Sequence, residues 1–542
     1  MGGRMRADVV VVGGGPVGLL VAAELAGFGV RTVVFEAEPA VSDRPRATTV
    51  HARAVQCLVR RGRLPWLAPL HQKWGREVTR SFRFAGISGL TISAPGTEPE
   101  PLLKCPQRDL EREFEAQALA AGARILRGYR VEKLRMEADG VQVTARARDA
   151  REDVACTASY VVGADGARGV VRELAGIGSA TWPATVSSMM GLVALPDRDR
   201  LGPGWHRTPR GWIVATPVSG EDVSLRTLNP DPANARTARA SAPTPEELRR
   251  EVAWIAGHEV ALRRPRWLSR FDDFARLARG YRRGRVLLVG DAAHIHFPIG
   301  GQGLSTGLLD AIDLSWKLAF TIRGSAAADL LDSYDAERRP AALRVIGNTR
   351  GQLLLMRPDP DLAPVRGMLA ERLAAEQFSA RLGAAISAQD TVVPARTAHP
   401  SPWEGRFLPN RRLETRRGPI DVISLLRPGR PLLVLSGPGA DAYRRQAAPW
   451  ARLLRVVHAA ALDPLPEALL LRPDGYIGWA AGGSALADAL TAYFGPPVGA
   501  EASSKTRAPR SADRSTEAST EEIATLGSTC RSSVTTRGIR SA

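Results

Sequence analysis

Cysteine is scarce. The chain has four in 542 residues, Cys57, Cys105, Cys156 and Cys530, and no two form a C-x-x-C pair. That argues against a disulfide scaffold, a structural zinc site and a dithiol redox centre, and fits a reducing cytoplasm. Long hydrophobic runs are missing too. The stretch that imitates a signal peptide or anchor, residues 7–25 behind Arg4 and Arg6, is broken by four glycines, Pro16 and Glu24. No later stretch reaches the roughly 18 apolar residues of a spanning helix, so a soluble protein with no membrane partner is expected. Acidic residues are outnumbered, 56 against 74 Lys and Arg, for a formal net charge of +18. The excess is mainly arginine spread along the chain, whereas a nucleic-acid binder concentrates it in a patch with interleaved aromatics. No nucleic-acid partner is expected. The arginines are either simply solvated or form a basic surface that steers an anionic cofactor inward.

No nucleophile triad or metal ligand set is present. His294 and His296 stand near Asp291, but the other ligands of a zinc site are absent, so no metal is expected.

What is present is an alternation of apolar strands and helices. Ala7–Val12 reads as a buried parallel strand, Pro16–Phe28 as a helix packed on it, and Arg31–Phe35 as the second strand of a β-α-β unit. Tyr160–Gly163 and Val286–Gly290 are further strands, each running into an Asp-containing turn. Between them, residues 181–279 hold short strand-like pieces broken by Pro- and Gly-rich turns, an inserted and mainly antiparallel layer. Leu304–Arg323 reads as a long helix, with helical character continuing over 347–383. Residues 391–419 read as a linker, and the strands beyond it as a small α/β domain. Residues 499–542 carry almost no large apolar side chains and are expected to be disordered. The division expected is 1–180 and 280–395 for one discontinuous domain, 181–279 for the insert, 396–498 for the C-terminal domain and 499–542 for the tail.

Gly13-Gly14-Gly15-Pro16-Val17-Gly18 is a G-x-G-x-x-G directly after a strand and opening a helix. Gly13 permits the turn, Gly15 lets the backbone approach a pyrophosphate, and Gly18 lets helix and strand pack closely, with the phosphates on the helix N-terminus. Glu36 ends the second strand where an acid binds ribose hydroxyls. Only one such fingerprint exists, so one dinucleotide stays bound and any second one visits. Asp165-Gly166 and Gly290-Asp291 place carboxylates at two more strand ends. The run Pro298-Ile299-Gly300-Gly301-Gln302-Gly303-Leu304-Ser305 then opens a helix whose amides suit an anionic group.

These three motifs, in this order, resemble the class A FAD-dependent aromatic hydroxylases of the para-hydroxybenzoate hydroxylase type. The spelling from His294 to Gly303, with Tyr334-x-x-Glu337-Arg338-Arg339, resembles the branch acting on aromatic polyketides and rifampicin-like antibiotics. The resemblance implies an α/β fold: a Rossmann-like FAD-binding domain, an inserted antiparallel β-sheet substrate domain and a thioredoxin-like C-terminal domain. Lacking cysteine, that last domain is expected to be structural. It implies FAD as resident cofactor, NADPH or NADH as transient reductant, and hydroxylation of a phenolic or polycyclic aromatic by dioxygen through a flavin 4a-hydroperoxide. Carried over residue by residue, Gly13, Gly15, Pro16, Val17 and Gly18 hold the ADP phosphates and Glu36 the ribose. Arg46 and Arg53 lie near the cofactor, Gln107 touches the flavin, and Val131 offers an adenine-side backbone contact. Asp291 binds the ribityl chain, and Leu304 and Ser305 offer backbone N–H groups to the ring. Ser305 departs from the Asn that relatives often carry there. No catalytic side chain is implied. Alternatives are Baeyer–Villiger oxygen insertion on a related polyketide and a flavoprotein partner without oxygenase activity. Gly211 to Pro217 match a halogenase signature poorly. Oligomeric state is open, a homodimer being one arrangement.

Overall fold

Val9, Val10, Val11 and Val12 are almost wholly buried, and a run apolar on both faces suits the centre of a parallel sheet. In the computed structural model, which describes residues 5–44, 46–67, 77–148, 153–197, 199–231, 242–460 and 463–497, the Met5–Val12 strand holds that place. It pairs in parallel with Thr32–Glu36 on one side and Asp153–Gly163 on the other, with Val12 opposite both Phe35 and Gly163. Val286–Leu288 and Arg124–Arg127 extend the parallel set, and Gly140–Ala147 with Tyr129–Glu137 adds an antiparallel arm. The Pro16–Gly27 helix starts at once after the first strand, with proline at its opening position. Because the parallel strands point one way, their carboxyl ends bring Gly13, Glu36, Ala164 and Val289 to one edge, where α/β sheets bind ligands.

Across that edge lies a five-stranded antiparallel sheet. Its order is Gly204–Thr208, Gly211–Ser219, Asp222–Leu228, Ser187–Ala194, Arg263–Asp272. Ile213, Ala215, Val223 and Leu225 on its rear face pack with Leu248 and Val252 of the Pro245–Ala256 helix. This helix lies within the span read as strands. Its signal was in the text: Thr244 accepts the Glu247 amide at 3.2 Å, and the Glu247 carboxylate accepts the Thr244 amide at 2.8 Å, a complete capping box. A second unanticipated piece, the Val78–Phe84 and Ile87–Ala94 hairpin, comes from the first part of the chain.

The Gln302–Ile322 helix runs away from the sheet edge. Beyond it, the helical stretch expected over 347–383 is divided among three helices, Ser333–Met356, Ala363–Ala374 and Glu376–Ile386; Pro358 and Pro360 stand in the first break. The linker reading of 391–419 needs correction. Arg412–Thr415 and Gly418–Asp421 form a hairpin, because Gly418 at φ 98° allows the tight turn that Thr415 closes by donating to the Gly418 carbonyl at 2.7 Å. The four-stranded sheet that follows has the order Arg455–His458, Leu432–Leu435, Ala468–Leu471, Ile477–Ala480. It is tied to the long helices by a buried ionic cluster. Arg472 donates to Asp313 at 2.7 Å, Glu337 at 2.8 Å and Asp474 at 2.5 Å, while Lys317 pairs with Asp313 and Glu337. Burial and the neighbouring Glu337 push the Asp313 carboxyl above the usual carboxylate range. No helix among the described residues is long and apolar enough to cross a membrane. The tail expected to be disordered lies outside the described residues.

Candidate active site

A cavity of about 1110 Å³ opens between the parallel sheet edge and the antiparallel sheet. A single small-molecule pocket holds roughly 300–1,000 Å³, so there is room for a cofactor end and a substrate together. Its wall has two halves of different chemistry.

One half is the sheet edge. Gly13 has φ 108°, and a Cβ there would sit 2.3 Å from the Ala164 carbonyl oxygen; at Gly18 it would sit 2.0 Å from the Gly13 carbonyl oxygen. Only glycine lets these strands and the helix meet. Gly15 differs: nothing lies within 4 Å of where its Cβ would stand, and it faces the cavity. That space at a helix N-terminus is a cradle for an anion. The Glu36 carboxylate accepts the Gly14 amide, and its other oxygen accepts the Glu38 amide at 2.7 Å. Gln107 donates to Glu111 at 2.7 Å, whose carboxyl is raised by burial. Asp291 faces the cavity with no hydrogen-bond partner among the described residues, and burial raises its carboxyl. Gly300 and Gly301, at φ 75° and 64°, turn the chain so that Gly303 and Leu304 reach the cavity at the start of the Gln302–Ile322 helix.

Gly13, Gly15, Pro16, Val17, Glu36, Arg46, Gln107, Asp165 and Gly166 thus meet on one wall with Asp291, Pro298, Gly300, Gly301, Gly303 and Leu304. Five other expected residues stand outside it. Gly18 and Gly290 pack behind, a Cβ on Gly290 meeting Val17 at 3.3 Å. Val131 is buried in the antiparallel arm, opposite Ala145. The Ser305 hydroxyl accepts the His51 amide at 2.9 Å. Arg53 turns toward the C-terminal segment, donating to the carbonyls of Ala388 and Gln389 and lying 3.6 Å over the Phe407 ring. Asp165 accepts the Val171 amide at 2.9 Å and so braces its own turn.

The other half is aromatic and apolar. Trp205 and Trp212 meet edge to face at 6.2 Å, and Phe271 lies 5.4 Å from Phe297. Phe82 from the hairpin, Met190 and Met356 complete this part. Trp212 is fixed by donating to the Met356 carbonyl at 2.7 Å. Phe82, Phe271 and Met356 carry no local signal; only the assembled sheets bring them together. Trp254 and Trp267, two further tryptophans of the same region, do not line the cavity.

His296 lies where the halves join. Its Nδ1 bonds the Phe297 carbonyl at 2.9 Å, and its buried Nε2 has no partner and faces Gly303. Burial lowers its pKa to about 4, so the ring is neutral. His294 instead belongs to a brace behind the wall, its Nε2 2.8 Å from Asp310. Among the described residues no group of three or more His, Cys, Asp or Glu is arranged to hold a metal.

The cradle at Gly15, the unpartnered Asp291 carboxylate and the amides beyond Gly301 fit a flavin dinucleotide. The FAD binding domain family matches residues 6–349, and the aromatic-ring hydroxylase C-terminal family matches residues 401–497. The chain belongs to the family of FAD-binding flavoprotein monooxygenases. Within it, the chain sits in the aromatic polyketide hydroxylase branch. It is 38% identical to the 12-dehydrotetracycline 5-monooxygenase/anhydrotetracycline 6-monooxygenase of Streptomyces rimosus subsp. rimosus, over 91% of this chain and 100% of that one. The rifampicin monooxygenase of Streptomyces venezuelae is 35% identical over 87% and 95%. The dialkyldecalin synthase of Streptomyces rugosporus is 34% identical over 91% and 100%. The solved anhydrotetracycline hydroxylase of Streptomyces rimosus superposes with a TM-score of 0.80 at 35% identity, covering 91% of this chain and 100% of that one.

Proposed function

We propose that this enzyme hydroxylates a phenolic or polycyclic, polyketide-like aromatic, with NADPH or NADH as reductant and dioxygen as co-substrate. The observation that carries the reading is the single cavity, anion-cradling on one side and aromatic on the other. In this reading Gly13, Gly15 and Pro16 hold the ADP phosphates, Glu36 a ribose, and Asp291 the ribityl chain. Arg46 and Gln107 flank the cofactor, and the amides beyond Gly301 receive the negative pyrimidine side of the ring. Bound and reduced, FAD would supply the two electrons that activate dioxygen, one oxygen atom of which goes to the substrate and the other to water. The protein's task is to clamp the aromatic ring between Trp205, Phe271 and Phe297, exclude water, and favour the phenolate. His296, its ring neutral and its Nε2 buried against Gly303, holds the junction of the two halves and is not the base that takes the phenolic proton.

The proposed division of labour gives 1–180 and 280–395 to the dinucleotide and 181–279 to the substrate. Residues 396–498 form a supporting domain of thioredoxin-like type. The test is the absorbance spectrum of the purified protein, followed by NADPH consumption with a panel of polycyclic phenols. A yellow protein, accelerated by one phenol and yielding a product heavier by one oxygen, supports the reading. A colourless protein that cannot be reconstituted with FAD overturns it. A lactone product would move it to Baeyer–Villiger insertion. A second reading, a flavoprotein without oxygenase activity, is favoured by the resemblance to a dialkyldecalin synthase. NADPH oxidation that no aromatic stimulates would support that one instead.

A further inference from the structure

The antiparallel sheet turns one face to the cavity, and Asp222–Leu228 is its middle strand. At the centre of that face stands Arg226, opposite Met190 on one neighbouring strand and Val214 on the other. The surface it exposes opens onto the cavity. Among the described residues its guanidinium makes no hydrogen bond and no ion pair. Glu251 of the Pro245–Ala256 helix does not serve it, accepting instead from Thr227 and Asn229.

Charge is unevenly divided around the cavity. All five of its carboxylates, Glu36, Glu38, Glu111, Asp165 and Asp291, come from the parallel sheet edge or the adjoining Gln107–Ala120 helix. The antiparallel sheet and the hairpin contribute none. They contribute Arg226 and Arg83; Lys104 lines the same cavity, and burial first and Arg226 second lower its pKa. Lys104 Nζ donates to the Thr49 hydroxyl at 2.9 Å, a neutral partner. Desolvation likewise lowers the pKa of Arg226, with no anion offsetting it. Two cations of like charge over an apolar floor, neither paired with a carboxylate among the described residues, favour an anion between them. A planar guanidinium offers two parallel donors to an oxyanion.

We propose that Arg226, assisted by Lys104, binds an oxyanion carried by the aromatic substrate, a carboxylate or an ionised acidic phenol. Arg226 is thereby the specificity-determining residue of the pocket. This rests on the aromatic-substrate reading above. It adds that the enzyme prefers acidic polycycles over neutral ones of equal size.

The test uses the FAD-loaded protein and three probes sharing one hydroxyanthraquinone ring system. One bears a carboxylate, one an extra acidic phenol, and one a methyl group at the same position. Affinities are read from the perturbation of flavin absorbance, for the wild type and for Arg226→Met and Arg226→Gln, with FAD content and melting temperature as fold controls. The wild type is expected to bind at least one acidic probe about tenfold tighter than the methyl probe, as suits a charge-assisted hydrogen bond. Both variants should lose that preference while binding the methyl probe within about twofold. Whichever acidic probe responds identifies the oxyanion. Equal binding of all three probes by the wild type, or a preference that survives both substitutions, overturns the inference and leaves the aromatic-substrate reading standing. If no probe binds while FAD is retained, that reading falls and this one with it. A raised KM for NADPH with unchanged probe affinities would reassign Arg226 to the reductant and overturn the proposal.

Discussion

The Asp310 carboxylate accepts the Gly290 amide at 3.1 Å and meets the His294 ring at 2.8 Å through the same oxygen. The turn carrying Asp291 is therefore tied on both sides to one residue of the Gln302–Ile322 helix. The other Asp310 oxygen takes Arg338 at 2.8 Å. Asp310→Ala strands a buried guanidinium and frees the turn. A loss of about 3–5 kcal/mol of stability is expected, with FAD retention falling alongside. Denaturant titrations with and without added FAD check this. A variant as stable as the wild type would contradict the brace.

Asp291→Ala removes a carboxylate that points into the cavity and supports nothing else. FAD affinity should drop by about 2 kcal/mol, roughly thirtyfold, as for a hydrogen bond to a charged group. The apo protein should melt near the wild-type temperature. Flavin content after gel filtration, with apo melting alongside, reads both.

Gly15 and Gly18 separate cofactor binding from folding. Gly15→Ala meets open space, so the apo protein should lose less than about 0.5 kcal/mol while FAD binding collapses. Gly18→Ala drives a methyl to 2.0 Å from the Gly13 carbonyl, and a loss of about 1–3 kcal/mol is expected before any cofactor is added. Equal behaviour of the two variants would refute the cradle at Gly15.

Burial holds His51 and His296 near pKa 4 instead of 6.5. Their unfolded forms take up protons that the native forms refuse. Stability from these rings is therefore intact above about pH 6.5 and is lost as pH falls toward about 4. The slope of unfolding free energy against pH in that window should be shallower in the double variant His51→Gln/His296→Gln. An unchanged slope would argue against both shifts.

Arg472→Met leaves Asp313, Glu337 and Asp474 without their shared cation in a buried setting. About 3–5 kcal/mol should be lost. Because the cluster joins the C-terminal sheet to the long helices, that sheet should become the first region to exchange its amide hydrogens. Uniform exchange across the chain would mean the joint lies elsewhere.

The strand-end glycines and acids were readable from the sequence because each motif is local: a strand, a turn and a helix written in one continuous segment. The wall opposite was not readable. Ser188, Met190, Val214, Arg226 and Phe271 share a face only through a register of five strands whose pairings span up to 85 residues, as between Ser187 and Asp272. Arg53 and Ser305 show the converse. Both fall within a recognisable motif segment, yet their side chains hold Gln389 and His51, so they act on the site through the backbone they support.

The antiparallel sheet also bears on how such an enzyme could change its substrate. Leu225 and Arg226 are adjacent in the chain and opposite in obligation: one is locked against the Pro245–Ala256 helix, the other hangs over the cavity. Met190, Val214 and Arg226, which stand on the cavity side outside the core clusters, can thus be replaced without repacking a core. Recognition is free to drift one side chain at a time while the cofactor's seat stays where it is.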